Sequence, residues 1–152
     1  MPGTTERWLK KGLRKFMDKG YKILEHPADV RMRALGETKE KLFINAAKGM
    51  MEILQSKIQT PPSKYQRNIR VKSVDLNALL VDFLSEVLYL IQTNKEIYDK
   101  IKFEEFTDNE LEARLFGNKI ESFGEDIKGV THHDLKIEQK NGLYEATILF
   151  DI

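Results

Sequence analysis

The chain contains no cysteine in its 152 residues. Disulfide frameworks, thiol catalysis and Cys-ligated zinc are therefore excluded. It has no surplus of charge of one sign, with 25 Lys+Arg against 24 Asp+Glu. A dedicated non-specific nucleic-acid binder would be strongly basic, so the total argues against one. There is no run of 18 or more apolar residues, and no stretch is expected to span a bilayer. The basic N-terminus lacks an uninterrupted apolar core and a small-residue cleavage site, so it does not read as a secretory signal. P-loop, G-x-G-x-x-G, G-x-S-x-G and H-E-x-x-H patterns are all missing, which removes the common nucleotide-driven and zinc-hydrolase classes. Neither an internal repeat nor a low-complexity tract is found. A cytoplasmic location is the default expectation.

What is present is a globular composition, 41% hydrophobic and 32% charged, of a length that suits one domain. A chain of this size hides roughly 70% of its unfolded surface. The neutral total conceals blocks. Residues 1–19 carry six bases and two acids, and the other 133 carry 19 bases against 22 acids, a net of −3. Residues 57–72 hold five bases and no acid, while 96–126 hold ten acids and four bases. Such blocks are expected to steer partners more than to set the fold. Residues 1–19 read as a basic N-terminal extension and 20–152 as the single domain. Within the extension Trp8, Leu9, Leu13, Phe16 and Met17 follow helical spacing against a basic face. Docking on the domain, lying on a partner or membrane surface, and loose extension all stay open, as does an alternative start at Met17.

The domain begins with two expected strands, Tyr21–Glu25 and Asp29–Leu35. In the second, Val30, Met32 and Ala34 alternate with Arg31 and Arg33. Thr38 is suited to cap a helix reaching about residue 55, with Phe43, Ala46, Ala47, Met50 and Leu54 on one side. Gly49 inside it points to close helix–sheet packing. After a loop over 56–64, a strand is expected over 65–74. Asp75 then caps a second helix over 76–95, whose broad stripe includes Leu80, Phe83, Leu84, Val87 and Ile91. Strands over 98–106 and 110–116 follow, then a less clear stretch over 117–127. A C-terminal hairpin, 128–139 with 143–152, turns at Asn141-Gly142. The order implies an α+β fold, a mostly antiparallel sheet packed with two amphipathic helices.

Titratable residues near strand ends draw attention. The three histidines are His26, His132 and His133. A lone histidine at a strand end is more often a packing or hydrogen-bonding residue than a ligand. Asp29 opens a strand among apolar residues, where an acid needs partners. It can cap backbone N–H groups or hold a cation. At the other end an apolar strand runs to Asp151 and Ile152, so two carboxylates are held close. Held close, they repel each other. Either both face water, or a cation relieves the repulsion, and all-oxygen ligation suits Ca²⁺ or Mg²⁺.

Glu25-His26-Pro27-Ala28-Asp29-Val30 resembles the opening motif of the archease family. The likeness continues through Arg33-Ala34-Leu35-Gly36-Glu37-Thr38 and Leu42-Phe43 to Gly49-Met50. It resumes over Leu80–Tyr89, over Ile127-Lys128-Gly129-Val130-Thr131-His132-His133, and at Phe150-Asp151-Ile152. It covers residues 17–152. Pro27 stands where Thr is common, Gly129 where Ala is usual, His132 where Tyr is frequent and Asp134 where Gly is frequent. These departures leave the carboxylates intact. The resemblance implies a non-enzymatic activator of an RtcB-type RNA ligase in tRNA splicing. The activator assists formation of the ligase–guanylate intermediate and gives multiple turnover. It further implies a divalent cation, calcium, held by Asp29, Asp151 and the terminal carboxylate of Ile152. His26, Lys128 and His133 would be supporting residues. Contact with RNA would then be weak or indirect. A metal-dependent hydrolase is a rival reading, as is an RNA-binding or chaperone-like module. In the latter, aromatic interleaving is sparse, with only Tyr65 in the basic 57–72 stretch.

Overall fold

A computed structural model describes residues 18–25, 29–54, 56–58 and 64–152. The N-terminal helical pattern, the alternative start and His26 lie outside the described residues. From residue 20 on, the described residues form the elements β1 (Tyr21–Glu25), β2 (Asp29–Gly36), α1 (Lys39–Ile53), β3 (Lys57–Ile58), β4 (Tyr65–Lys72), α2 (Leu76–Asn94), β5 (Glu96–Phe106), β6 (Glu110–Ser122), β7 (Gly129–Thr131), β8 (Glu138–Lys140) and β9 (Leu143–Asp151). The α+β expectation holds, and every strand pairing is antiparallel.

There are two sheets. One runs β1-β2-β9-β7, with β8 also on β9; in the other β6 pairs β3, β4 and β5. α1 packs on β1, β2 and β9 and also reaches β5, while α2 meets β4, β5, β7 and α1. The core lies where helices and sheets meet. Met32, Ile148 and Phe150 supply one side, Phe43 and Phe83 the helices, and Leu111 and Leu115 the other sheet. Each such side chain contributes about 1.5–3 kcal/mol on burial. Phe43, Phe83, Phe103 and Phe106 join in tilted and edge-on ring contacts with centroids 4.9 to 6.5 Å apart.

Local signals explain the helix ends. Thr38 is the α1 N-cap, its hydroxyl accepting from the Lys41 amide at 3.0 Å. Asp75 caps α2 in the same way through the Ala78 amide at 2.8 Å. Such caps satisfy N–H groups that the first turn leaves open. α2, 19 residues long, is apolar enough by length and composition to cross a membrane. In this fold eight of its side chains are buried in the protein's own core. Gly49 meets the expectation of close packing: a Cβ there would overlap the Met32 sulfur and touch the Tyr21 ring.

Three expectations are corrected. Within the expected 56–64 loop, Lys57 and Ile58 pair with β6. β5 and β6 are longer than anticipated, because residues 117–119 continue to pair with 96–98. The first arm of the C-terminal hairpin is not one strand. It splits into β7 and β8, both on β9, and the chain between them leaves the sheet to pack Leu135 and Ile137 against the core. The turn itself is as expected, with Asn141 and Gly142 both at positive φ (53° and 77°), as a type I′ turn requires.

The charge blocks also read differently in three dimensions. The basic 57–72 and acidic 96–126 stretches become neighbouring strands of one sheet, and part of their charge is paired internally. Arg70 pairs with Glu112, and Arg67 forms a two-pronged pair with Glu96 at 2.9 Å on each prong.

Candidate metal centre

The first sheet brings the two ends of the domain together. β9 is the last strand of the chain, yet it inserts between β2 and β7. In that register Asp151 stands opposite Asp29 on one side and Gly129 on the other. Directly opposed residues on antiparallel strands point to the same face, with Cβ atoms about 4.5–5.5 Å apart. Alternation identifies the face. Val30, Met32 and Ala34 of β2, with Ile148 and Phe150 of β9, are buried. Asp29 and Asp151 therefore sit on the outer face, away from the helices. Asp29 is half-buried and Asp151 exposed. Ile152 follows immediately, its side chain packed against the core.

This juxtaposition fits a hard divalent cation. Two like charges directly opposed across strands destabilise each other, and an oxygen-ligated cation removes the repulsion. Position 129 carries no side chain, and a Cβ there would have open space around it, so one flank of the carboxylate pair is unobstructed. The fit depends on more than the aspartates. Among the described residues no three His, Cys, Asp or Glu side chains gather as a metal-holding group. A cation held there would need its set completed by oxygens other than these two side chains, such as main-chain oxygens or water.

Lys128 is anchored at the same spot. Its amide donates to the Asp151 carbonyl at 2.7 Å, and its side chain is exposed. The preceding residue, Ile127, is buried and its carbonyl accepts from the Gln92 side chain at 2.8 Å. Two further contacts hold the following segment along α2. The Asn77 side chain accepts from the Ile137 amide at 3.0 Å, and His132 Nε2 lies 4.0 Å from Asp82. Asp82 also accepts from the Ser73 hydroxyl at 2.6 Å. Gln92 and Asn77 were not singled out from sequence. Nothing local marks a helix-surface amide that holds a segment 35 or 60 residues away.

The sheet end therefore gathers Asp29 and Asp151 on one row, with Ile152 and Lys128 as the adjoining residues of β9 and of the segment leading into β7. His133 is placed beyond it, on the turn after β7. Its amide donates to the Thr131 hydroxyl at 3.1 Å, and its ring lies 3.1 Å from Asp134. The next row on the outer face is Leu24, Arg31, Leu149 and Thr131. Arg33, one row further, pairs with Glu145 at 2.9 Å.

An antiparallel sheet that pins its last strand between two others, with acids from both ends of the domain on one row, defines a small α+β protein with a carboxylate-lined sheet end. The chain belongs to the Archease protein family, whose model matches residues 21–152. It is 34% identical over 142 residues to the protein archease of Methanosarcina mazei, spanning 88% of this chain and 97% of that one. The Thermococcus kodakarensis archease is 33% identical over 136 residues, at 84% and 95% coverage. Among solved structures, a Methanobacterium thermoautotrophicum protein superposes with a TM-score of 0.68 at 27% identity, covering 88% of this chain and 99% of its own. An archease from Thermotoga maritima, described as a possible chaperone, shares the fold with a TM-score of 0.64 at 23% identity, at 86% and 96% coverage.

Proposed function

We propose that this protein is a non-enzymatic, metal-binding activator of an RtcB-type RNA ligase in tRNA splicing, acting in the cytoplasm. It would assist ligase guanylylation and multiple turnover. The observation that carries the reading is the pairing of Asp29 with Asp151 across β2 and β9, within the segment matched by the family. In this reading residues 20–152 form the working domain and the basic segment 1–19 is an appendage.

Asp29, Asp151 and the carboxylate of Ile152 would hold a calcium ion. A bound divalent cation there would supply positive charge to orient phosphate or carboxylate oxygens of the partner. The chain's own residues do the rest. β9 holds Asp151 opposite Asp29, and Lys128, whose amide is tied to the Asp151 carbonyl, would serve as a compact cation for neighbouring anionic groups. His26 and His133 would shape the margins.

The test is ligase turnover with wild type, Asp29→Ala and Asp151→Ala, each with and without a chelator. Both variants are expected to lose multiple turnover while retaining the fold by circular dichroism. Full stimulation by both variants would remove this site from the mechanism. Isolated protein is expected to leave phosphoesters intact, and measurable hydrolysis lost in the Asp151 variant would favour a hydrolase instead.

A further inference from the structure

The second sheet presents a face that the carboxylate site does not use. Residues Ile69, Val71, Leu111, Ala113 and Leu115 turn inward to the core. Their strand neighbours turn outward. On β4 these are Gln66, Asn68, Arg70 and Lys72, all exposed. Across the sheet, Phe116 of β6 stands between Gln66 on β4 and Lys100 on β5, and Arg114 stands between Asn68 and Lys102.

Three properties of this face point to one kind of ligand. The first is a group of lysines at one end of the face. Arg70 and Arg114 pair with Glu112 and Glu104, and Lys72 stands opposite Glu110, but among the described residues Lys64, Lys100 and Lys102 enter no ion pair. The second is a half-exposed ring, Phe116, with the Lys100 ammonium 5.6 Å from its centroid. The third is a pair of side-chain amides, Gln66 donating to Asn68 at 3.2 Å, in the two rows that hold Phe116 and Arg114. Beside them, a shallow depression of about 320 Å³ lies between Asn68, Glu104 and Arg114.

We propose that the outer face of β4, β6 and β5 binds single-stranded RNA. The lysines take phosphates, Phe116 takes the face of a base, and the Gln66 and Asn68 amides meet base edges. An open antiparallel sheet with an aromatic platform and flanking cations suits unpaired nucleotides, whose bases can splay and stack. A duplex offers neither. Lysines on edge strands also guard against edge-to-edge pairing. That role would not call for a ring and amides on the same rows. The proposal goes beyond the activator reading and does not depend on it, because this face and the carboxylate row belong to different sheets.

The experiment is fluorescence anisotropy with the full chain and a labelled oligouridylate of about ten nucleotides, over a range of salt. With about three phosphates neutralised, log K is expected to fall with log salt at a slope of about −2. The Lys100→Ala/Lys102→Ala double variant is expected to weaken binding at least about tenfold and to flatten that slope. Phe116→Ala is expected to weaken binding about tenfold with the slope unchanged, and Phe116→Tyr to restore it. Melting curves confirm that each variant is folded. Asp151→Ala, which disables the proposed metal site, is expected to bind the oligonucleotide as wild type does. Three results would overturn the proposal: no binding at low salt, binding indifferent to the Lys100, Lys102 and Phe116 changes, or equal displacement by polyglutamate. The last would assign the face to an acidic protein, and the second would assign binding to the basic N-terminal segment.

Discussion

Glu96 shows how much one side chain can hold. It is fully buried, yet it is met by both nitrogens of the Arg67 fork, by the Tyr98 hydroxyl at 3.0 Å and by Lys119 at 3.6 Å. Burial alone would oppose its ionisation; the hydrogen bonds from Arg67 and Tyr98 outweigh that and hold its pKa below the ordinary carboxylate value. Burial pushes the Tyr98 hydroxyl the other way, up to about 12. A depressed carboxylate contributes stability above its unfolded pKa, and that contribution is lost as pH falls through the folded value. Wild-type protein is therefore expected to lose melting temperature steeply on acidification below about pH 4, and Glu96→Gln to show a flatter profile. At neutral pH, Glu96→Ala should cost on the order of 2 kcal/mol. That is less than the ~3–5 kcal/mol of a wholly buried pair, because Arg67 and Lys119 still reach water. For a chain of this size it is a fall of about 4–8 °C, checked by calorimetry. An unchanged acid profile in Glu96→Gln would count against the assignment.

At the scale of elements, the two glycines opposite in character make a paired test. Gly49→Ala gains about 1 kcal/mol of helix propensity but forces Met32 and Tyr21 apart in a filled core, which costs about 1–3 kcal/mol. A net loss of roughly 1 kcal/mol is expected in denaturant titration. Gly129→Ala, with open space around the new methyl, is expected to be neutral or slightly stabilising. Both helices were legible because their caps and stripes are local: Thr38, Asp75 and the apolar spacing each act within a turn or two. The strands were less so. Residues 117–122 open on Gly117 and carry one acid, Glu121, amid mixed polarity, and they become strand only because β5 and β3 lie beside them. Likewise 132–137 leaves the hairpin because Asn77 of α2 offers the Ile137 amide a partner. Neither partner is near in sequence.

For the whole molecule, the critical event is the placing of β9 between β2 and β7. A ligand that binds only the assembled site stabilises the fold by mass action, about 2.7 kcal/mol at a hundred times its Kd. Calcium is therefore expected to raise the melting temperature of the full chain by about 5–10 °C in saturating metal. Asp151→Asn, and a short tail appended after Ile152, are each expected to abolish the rise, whereas a rise retained in both would place the ion elsewhere. Sequence alone determined the α+β class, both helix caps, the Asn141-Gly142 turn and the identity of Asp29, Asp151 and Ile152 as candidates, because those signals reside in neighbouring residues or in motifs read as text. It left open whether the acids meet. Only the tertiary structure decided that, by pairing strands whose ends lie at opposite extremes of the domain and setting Asp29 and Asp151 in one row on one face. The same pairing of distant strands turned the separate basic and acidic blocks into one sheet, where some charges cancel and, among the described residues, Lys100 and Lys102 enter no ion pair. Register between strands is a non-local property: which charge meets which is chosen by the burial of the apolar residues between them.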